Sequence, residues 1–456
     1  MAFHLAAMRS RKFALKSVIC IFCQSHQVAW RQFTSTSFHR SAFSPSPVRC
    51  AVGARRGDIS KFGRSPEAVR AELDAIARKS FYLQCHTAGL ISMTYQEADD
   101  IVAEFLAARK RGPGQNVATD IATKYDLEVS DITKLAIATF RIPGKSDPSG
   151  YVPPSEHDEI AKEILLSCSR AYDSDATIEI LNSVYWGPSL VAARKIACKF
   201  SAVETKESRG YLEALAKNED TSAMTLLGII LEKEGNKRRA RELYEAALRL
   251  QESIKFDPSK VHQLSLPRIT PWNALGMLLL SDKNPKSQEQ AKEVFKRGAL
   301  EGEDPFSYFH LASFEEKSSG PWLQYMSKAA ASGHSEAMLN VGLFYVNAAS
   351  DGTQMIKPEY LEDSILSKAL KWLTESPRYD PENVGIEWLQ LAAQANYKPA
   401  MWELAQIWEA QGNREMVIKY LRGIVASPPK GTPEKWPELV DDANRSLTNA
   451  TRKTLF

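Results

Sequence analysis

The sequence predicts an all-α protein, a right-handed α-solenoid of antiparallel helix hairpins with a helical region before it. Two observations carry this expectation. An apolar pattern at relative positions 0, 3, 4, 7 and 8 occurs five times in the C-terminal half, and each copy follows a helix-like segment with a small residue at a fixed place. Spacing of that kind sets five side chains on one helix face. Repeated helical units stack into scaffolds, which characteristically bind rather than catalyse.

The first copy of the stripe is Ala240, Leu243, Tyr244, Ala247 and Leu248; the second is Ala291, Val294, Phe295, Gly298 and Ala299. Trp322, Tyr325, Met326, Ala329 and Ala330 make the third. Gly385, Trp388, Leu389, Ala392 and Ala393 make the fourth, and Val417, Tyr420, Leu421, Ile424 and Val425 the last. Ahead of them stand the pairs Leu227-Gly228, Leu275-Gly276, Leu311-Ala312, Val341-Gly342 and Leu404-Ala405. Glycine inside a helix costs about 1 kcal/mol relative to alanine, and the return is close approach of the next helix. Gly228, Gly276, Ala312, Gly342 and Ala405 are therefore the expected packing positions on the first helices. Tyr244, Phe295, Tyr325, Leu389 and Tyr420 are the expected ones on the second.

Gly235-Asn236 and Gly412-Asn413 fall between paired helices, where the chain must reverse. The spacing from small position to stripe is 10 to 15 residues in four units and 43 in the fourth. Residues 347–383 are therefore an insertion or a third helix, with a weaker stripe at Glu362, Ile365, Leu366, Ala369 and Leu370.

These residues resemble tetratricopeptide repeats and, more closely, their Sel1-like relatives. Ala337-x4-Gly342-x2-Tyr345 and Ala329-Ala330-x2-Gly333 carry the Sel1-like pattern, and the resemblance spans about Gly210 to Val425. The chain departs from it in irregular spacing, in lacking the Gly-x-Gly turn, and in opening a first helix with Pro271. The resemblance implies hairpin units that stack and bind other proteins. In fold and compartment the chain is broadly similar to the tetratricopeptide factors that assist export of a cytochrome oxidase subunit.

Residues 1–57 contain nine Lys or Arg and no Asp or Glu, with many hydroxyl residues. This is the composition of a mitochondrial matrix presequence. Arg31-Gln32-Phe33-Thr34-Ser35-Thr36 resembles the pattern near matrix processing sites, so cleavage is expected in the 30s to 50s. A secretory signal would have to use Val18 to Cys23, only six residues. A basic tail binding nucleic acid or acidic lipid is the remaining reading.

The chain's formal charge is +3, and removing the nine positive charges of residues 1–57 leaves −6. A mildly acidic mature protein disfavours a broad phosphate-binding surface. No apolar run reaches the length of a spanning helix, although peripheral attachment to the inner membrane needs only a surface. Cys85, Cys168 and Cys198 lie far apart, neither a disulfide framework nor a metal-ligand spacing.

Residues 58–141 read as a helical region that begins at Ser65-Pro66-Glu67. Residues 142–155, with four prolines, read as a linker. The solenoid is expected over 156–426, its leading units degenerate, and residues 427–456 form a tail or a capping helix.

No catalytic, cofactor or metal constellation stands out. His86, His157, His262, His310 and His334 have no partner at ligand spacing, and Gly112-Pro113-Gly114 lacks the following Lys-Ser/Thr of a phosphate loop. Adjacent Asp99 and Asp100 point in different directions on a helix. Basic runs such as Lys237-Arg238-Arg239 read as solvated helix ends. Trp322 and Trp388 sit on stripes and read as core, whereas Trp402 lies off the Ala400, Leu404, Ala405 and Trp408 face and is the candidate client contact.

The expectation is thus a non-enzymatic, cofactor-free mitochondrial scaffold in the matrix or on the matrix face of the inner membrane. It would hold a polypeptide client as an assembly or insertion factor for a respiratory complex. The alternative is a helical-repeat factor for mitochondrial RNA or the mitoribosome, which would need a basic inner face.

Overall fold

The computed structural model describes residues 65–111, 117–143, 152–251, 264–282, 284–317, 319–351, 380–428 and 433–452. The expected presequence, the Gly112-Pro113-Gly114 break, His262 and the weaker stripe at 362–370 lie outside these. Among the described residues there are nineteen helices and no strand.

The first ten helices are α1 (Pro66–Thr87), α2 (Tyr95–Arg111), α3 (Val117–Tyr125), α4 (Val129–Phe140), α5 (His157–Arg170), α6 (Ser174–Trp186), α7 (Val191–Ala197), α8 (Ala202–Lys217), α9 (Thr221–Lys233) and α10 (Lys237–Gln251). There follow α11 (Pro271–Ser281), α12 (Pro285–Leu300), α13 (Pro305–Ala312), α14 (Gly320–Ala331), α15 (Ser335–Asp351), α16 (Pro381–Gln394), α17 (Lys398–Ala410), α18 (Arg414–Val425) and α19 (Pro437–Arg452).

Local chemistry sets the helix starts. Ser65 caps α1 by accepting from the Ala68 N–H, with Pro66 in the first turn. Ser201 and Glu204 close a reciprocal capping box on α8. Asp173, Asp220 and Asp304 cap α6, α9 and α13. Gly235 and Gly412 have φ of +87° and +73°, the left-handed geometry expected at those reversals. The asparagine after each caps the next helix.

The chain divides into two compact units, parted within α11 between Leu278 and Leu279. In the first, α4 packs on α5, α6 contacts α5, α7 and α8, and α9 lies between α8 and α10. Its main core gathers Ile132, Leu135, Ile164, Leu165 and Ile180. This core runs across the Pro-rich segment, since Phe140 and Ile142 share it with Ile160. The far end of that segment is tied to α1: Asp74 accepts from Ser155 Oγ at 3.1 Å and from the Glu156 N–H at 3.2 Å. In the second unit, each helix from α12 to α19 packs on the next.

The repeated stripes are the buried faces. All their residues are buried except Val294, Tyr325, Trp388 and Val425, which are half-buried. The five small positions and the residue before each are buried as well. Two crossings show why small residues stand there. A Cβ on Gly228 would lie 2.4 Å from a Tyr244 ring carbon, and Tyr244 is itself anchored by donating to Glu232 at 3.0 Å. A Cβ on Gly342 would lie 2.8 Å from Leu389 Cγ and 3.0 Å from the Gly385 carbonyl. Gly385 in turn would meet the Gly342 carbonyl at 2.7 Å. The α15–α16 pair thus closes backbone to backbone despite the long chain between them.

This geometry separates two glycines by sign. Gly228→Ala should overpack the α9–α10 contact and lower stability by about 1–3 kcal/mol. Gly210, within α8, has nothing near a new Cβ, so Gly210→Ala should raise stability by about 0.5–1 kcal/mol. Thermal melts of the two variants should move in opposite directions; a neutral Gly228→Ala would refute the close-approach account.

Candidate functional site

The most elaborate polar arrangement among the described residues lies in the first unit. Residues 264–270 form no helix and lie along α6. The helix presents Asp175, Glu179, Asn182 and Trp186, at i, i+4, i+7 and i+11, on one face. Arg141, at the end of α4, completes the groove. Capping fixes α6 in place: Asp173 accepts from the Ala176 N–H at 2.8 Å and from Thr133 Oγ1 of α4 at 2.8 Å.

Most of the grip is on main chain. Arg141 donates through Nε and Nη2 to the Leu264 carbonyl at 3.1 and 2.8 Å. Both carboxylate oxygens of Glu179 accept from the Leu266 N–H, at 3.1 and 3.0 Å. Asn182 Nδ2 and Trp186 Nε1 both donate to the Pro267 carbonyl, at 2.8 and 3.0 Å. One ion pair is specific to the sequence of residues 264–270, hereafter the strap: Arg268 Nη1 to Asp175 Oδ1 at 2.8 Å. Leu266, 1% exposed, adds an apolar anchor in the main core.

Glu179 is fully buried on α6. Burial raises its pKa, while Arg141 and the Leu266 N–H pull it down. Burial lowers the Arg141 pKa, and Glu179 opposes that shift. Each group thus opposes the shift that burial imposes on the other, and a buried charge without such a partner is costly. Chemically, the groove holds non-helical backbone: it supplies donors to two carbonyls and an acceptor to one N–H.

This site is not legible in the sequence. Its signal was the stripe Asp175, Glu179, Asn182 and Trp186, which has helical spacing but mixes charged, amide and aromatic groups and so resembles a solvated face. Trp402 is half-buried and packs against the cluster of Leu389, Leu404 and Tyr420. Tyr325 stacks on Tyr308 with ring centroids 6.1 Å apart. Asp99 pairs with Arg78 at 2.5 Å, and Arg239 with Glu242 at 2.9 Å. Cys85 and Cys168 are buried with thiols pushed up by desolvation, the former to about 12, and Cys198 is exposed. Among the described residues no His, Cys, Asp or Glu group could hold a metal ion. No described helix is long and apolar enough to cross a membrane.

No known protein family matches the chain, and no match is found among curated proteins.

Two histidines of the second unit have an environment that fixes their protonation. His310 stacks on Phe295 at 4.8 Å and meets the edge of Phe306 at 4.2 Å, and its Nε2 is buried without a hydrogen bond. His334 stacks on Phe309 at 4.2 Å, and its Nδ1 accepts from the Ala337 N–H at 3.2 Å. That bond requires an unprotonated Nδ1. Burial pushes His310 down to about 4 and His334 to about 3, the latter helped by His310 and Lys435. The folded chain therefore binds fewer protons than the unfolded chain below the ordinary histidine value. The stability these rings contribute is full above about pH 6.5 and is lost as pH falls toward their folded values. Replacing both, with His310→Leu and His334→Asn to keep the cap, should remove about 2 kcal/mol of the stability lost between pH 6.5 and 5.5. Denaturant titrations at the two pH values, compared with wild type, measure it.

Proposed function

We propose that this protein is a non-enzymatic scaffold of TPR- or Sel1-like hairpins that holds a polypeptide client in mitochondria. The compartment is the matrix or the matrix face of the inner membrane, with peripheral attachment to that membrane. The client class is a subunit of a respiratory complex of the cytochrome oxidase type, or the insertion machinery that receives it, and the scaffold acts as an assembly or insertion factor. It needs no cofactor. The observation that carries the polypeptide part is the groove of Arg141, Glu179, Asn182 and Trp186, which meets the non-helical main chain of residues 264–267 with donors and acceptors. The acid-free, basic composition of residues 1–57 supports the compartment. The repeated stripes and their facing small residues support the repeat architecture.

At equimolar ratio the purified full chain should keep a chemically unfolded apolar polypeptide from aggregating, and it should not retard a labelled transcript in a gel shift. Light scattering reads the first and the gel the second. RNA retention without any effect on aggregation would move the assignment to expression control. In isolated mitochondria the radiolabelled full chain should be imported only when the membrane potential is intact and should shorten on import. A chain beginning at residue 58 should stay outside.

A further inference from the structure

Resting on the polypeptide-scaffold reading, we propose that residues 264–270 are a resident, displaceable occupant of the α4–α6 groove. The segment that displaces them is an extended polypeptide with apolar side chains where the strap carries Ser265 and Thr270.

The groove side of the contact is matched. The Arg141 guanidinium, both Glu179 oxygens, the Asn182 amide and the Trp186 N–H all reach strap main chain. Because those partners are main-chain groups, the same bonds are open to any extended segment. The strap side is matched only in part. Ser265 Oγ, Arg268 Nε and Thr270 Oγ1 are buried with no hydrogen-bond partner, three such atoms within six residues. Ser265 and Thr270 are 4% and 8% exposed, so their hydroxyls have little access to water. A buried hydroxyl without a partner opposes burial, whereas an apolar side chain of like size favours it. The strap therefore fits its groove by backbone, by Leu266 and by Arg268 Nη1, and misfits at the Ser265 and Thr270 hydroxyls and at Arg268 Nε.

Attachment offsets those misfits, alongside the main-chain bonds, Leu266 and the Arg268–Asp175 pair. A covalently linked segment competes at an effective concentration on the order of millimolar. A free segment with the same sequence loses that contest, and one without the two hydroxyls begins to win it. The strap thus works as a built-in competitor that sets a threshold on what the groove accepts. The accepted pattern is apolar, apolar, apolar, proline, basic, apolar, apolar, with the basic residue facing Asp175.

The test uses the full chain and two labelled seven-residue peptides, one with the sequence of residues 264–270 and one with Ser265→Val and Thr270→Val. Fluorescence anisotropy is read on wild type and on a strap variant, Leu266→Ser with Arg268→Glu, whose cooperative thermal melt is checked first. The expected result is at least about tenfold tighter binding of both peptides by the variant than by wild type, because tethered competition is weakened. The hydroxyl-free peptide should bind more tightly than the native one to either protein. Adding Asn182→Ala to the strap variant should weaken both. A folded strap variant that binds neither peptide better than wild type overturns the inference. Hydrogen exchange on wild type gives an answer that does not depend on the variant's folding. The Leu266 amide should exchange at least about tenfold faster than the core amides of α6, as local opening demands; equal rates overturn displaceability. If these arms fail while wild type still suppresses client aggregation, the groove inference falls and the scaffold reading stands. If suppression fails too, both fall.

Discussion

The structure depends on how close two helix backbones can come. At Gly228 against Tyr244, and at Gly342 against Gly385, a single carbon atom is the margin between seating and clash. A missing side chain on one helix makes room for a ring or a carbonyl on the next. The alanine-rich stripes extend the same principle with a slightly larger residue. Glycine's cost within a helix is about 1 kcal/mol, and it is offset by burying a large neighbour such as Tyr244, which is 0% exposed. Each such contact is local to a pair of helices. From α12 to α19 the packing passes from each element to the next, so stability there is distributed over nearest neighbours rather than vested in one central core.

The α4–α6 groove rests on a different principle. Glu179 and Asn182 are buried polar groups, Arg141, Asp175 and Trp186 are half-buried, and each meets a hydrogen-bonding partner in the strap. Burial raises the Glu179 pKa, and Arg141 and the Leu266 N–H of the strap oppose that shift. Removing one partner would leave the other exposed to the full cost of burial. The groove wall is held by the body of the unit, with Asp173 capping α6 and accepting from Thr133 of α4.

Much of this was legible in the sequence. The period of the apolar residues located the stripes, and Ser65-Pro66-Glu67, Gly235-Asn236 and Gly412-Asn413 marked a helix start and two reversals, because these depend on local chemistry. The groove was not legible. Its recognition pairs Glu179 with a main-chain N–H 87 positions away, and a backbone group leaves no residue type to read. Nothing in the sequence around His310 and His334 marks their charge state. Their neutral state follows from Phe295, Phe306 and Phe309, which tertiary contact alone brings together. The parting at Leu278 and Leu279 falls inside a continuous helix, where composition gives no sign of a boundary.

The facing pairs of small and large residues also bear on how such a chain can diverge. What the crossing of α9 and α10 requires is a combined volume, not a glycine and a tyrosine as such. An exchange in which one helix gains what its neighbour loses keeps the interface and changes both letters. Over many such exchanges the architecture can persist while its sequence pattern dissolves. In a lineage of this fold, paired change across each crossing would be the lasting record, rather than any residue held constant.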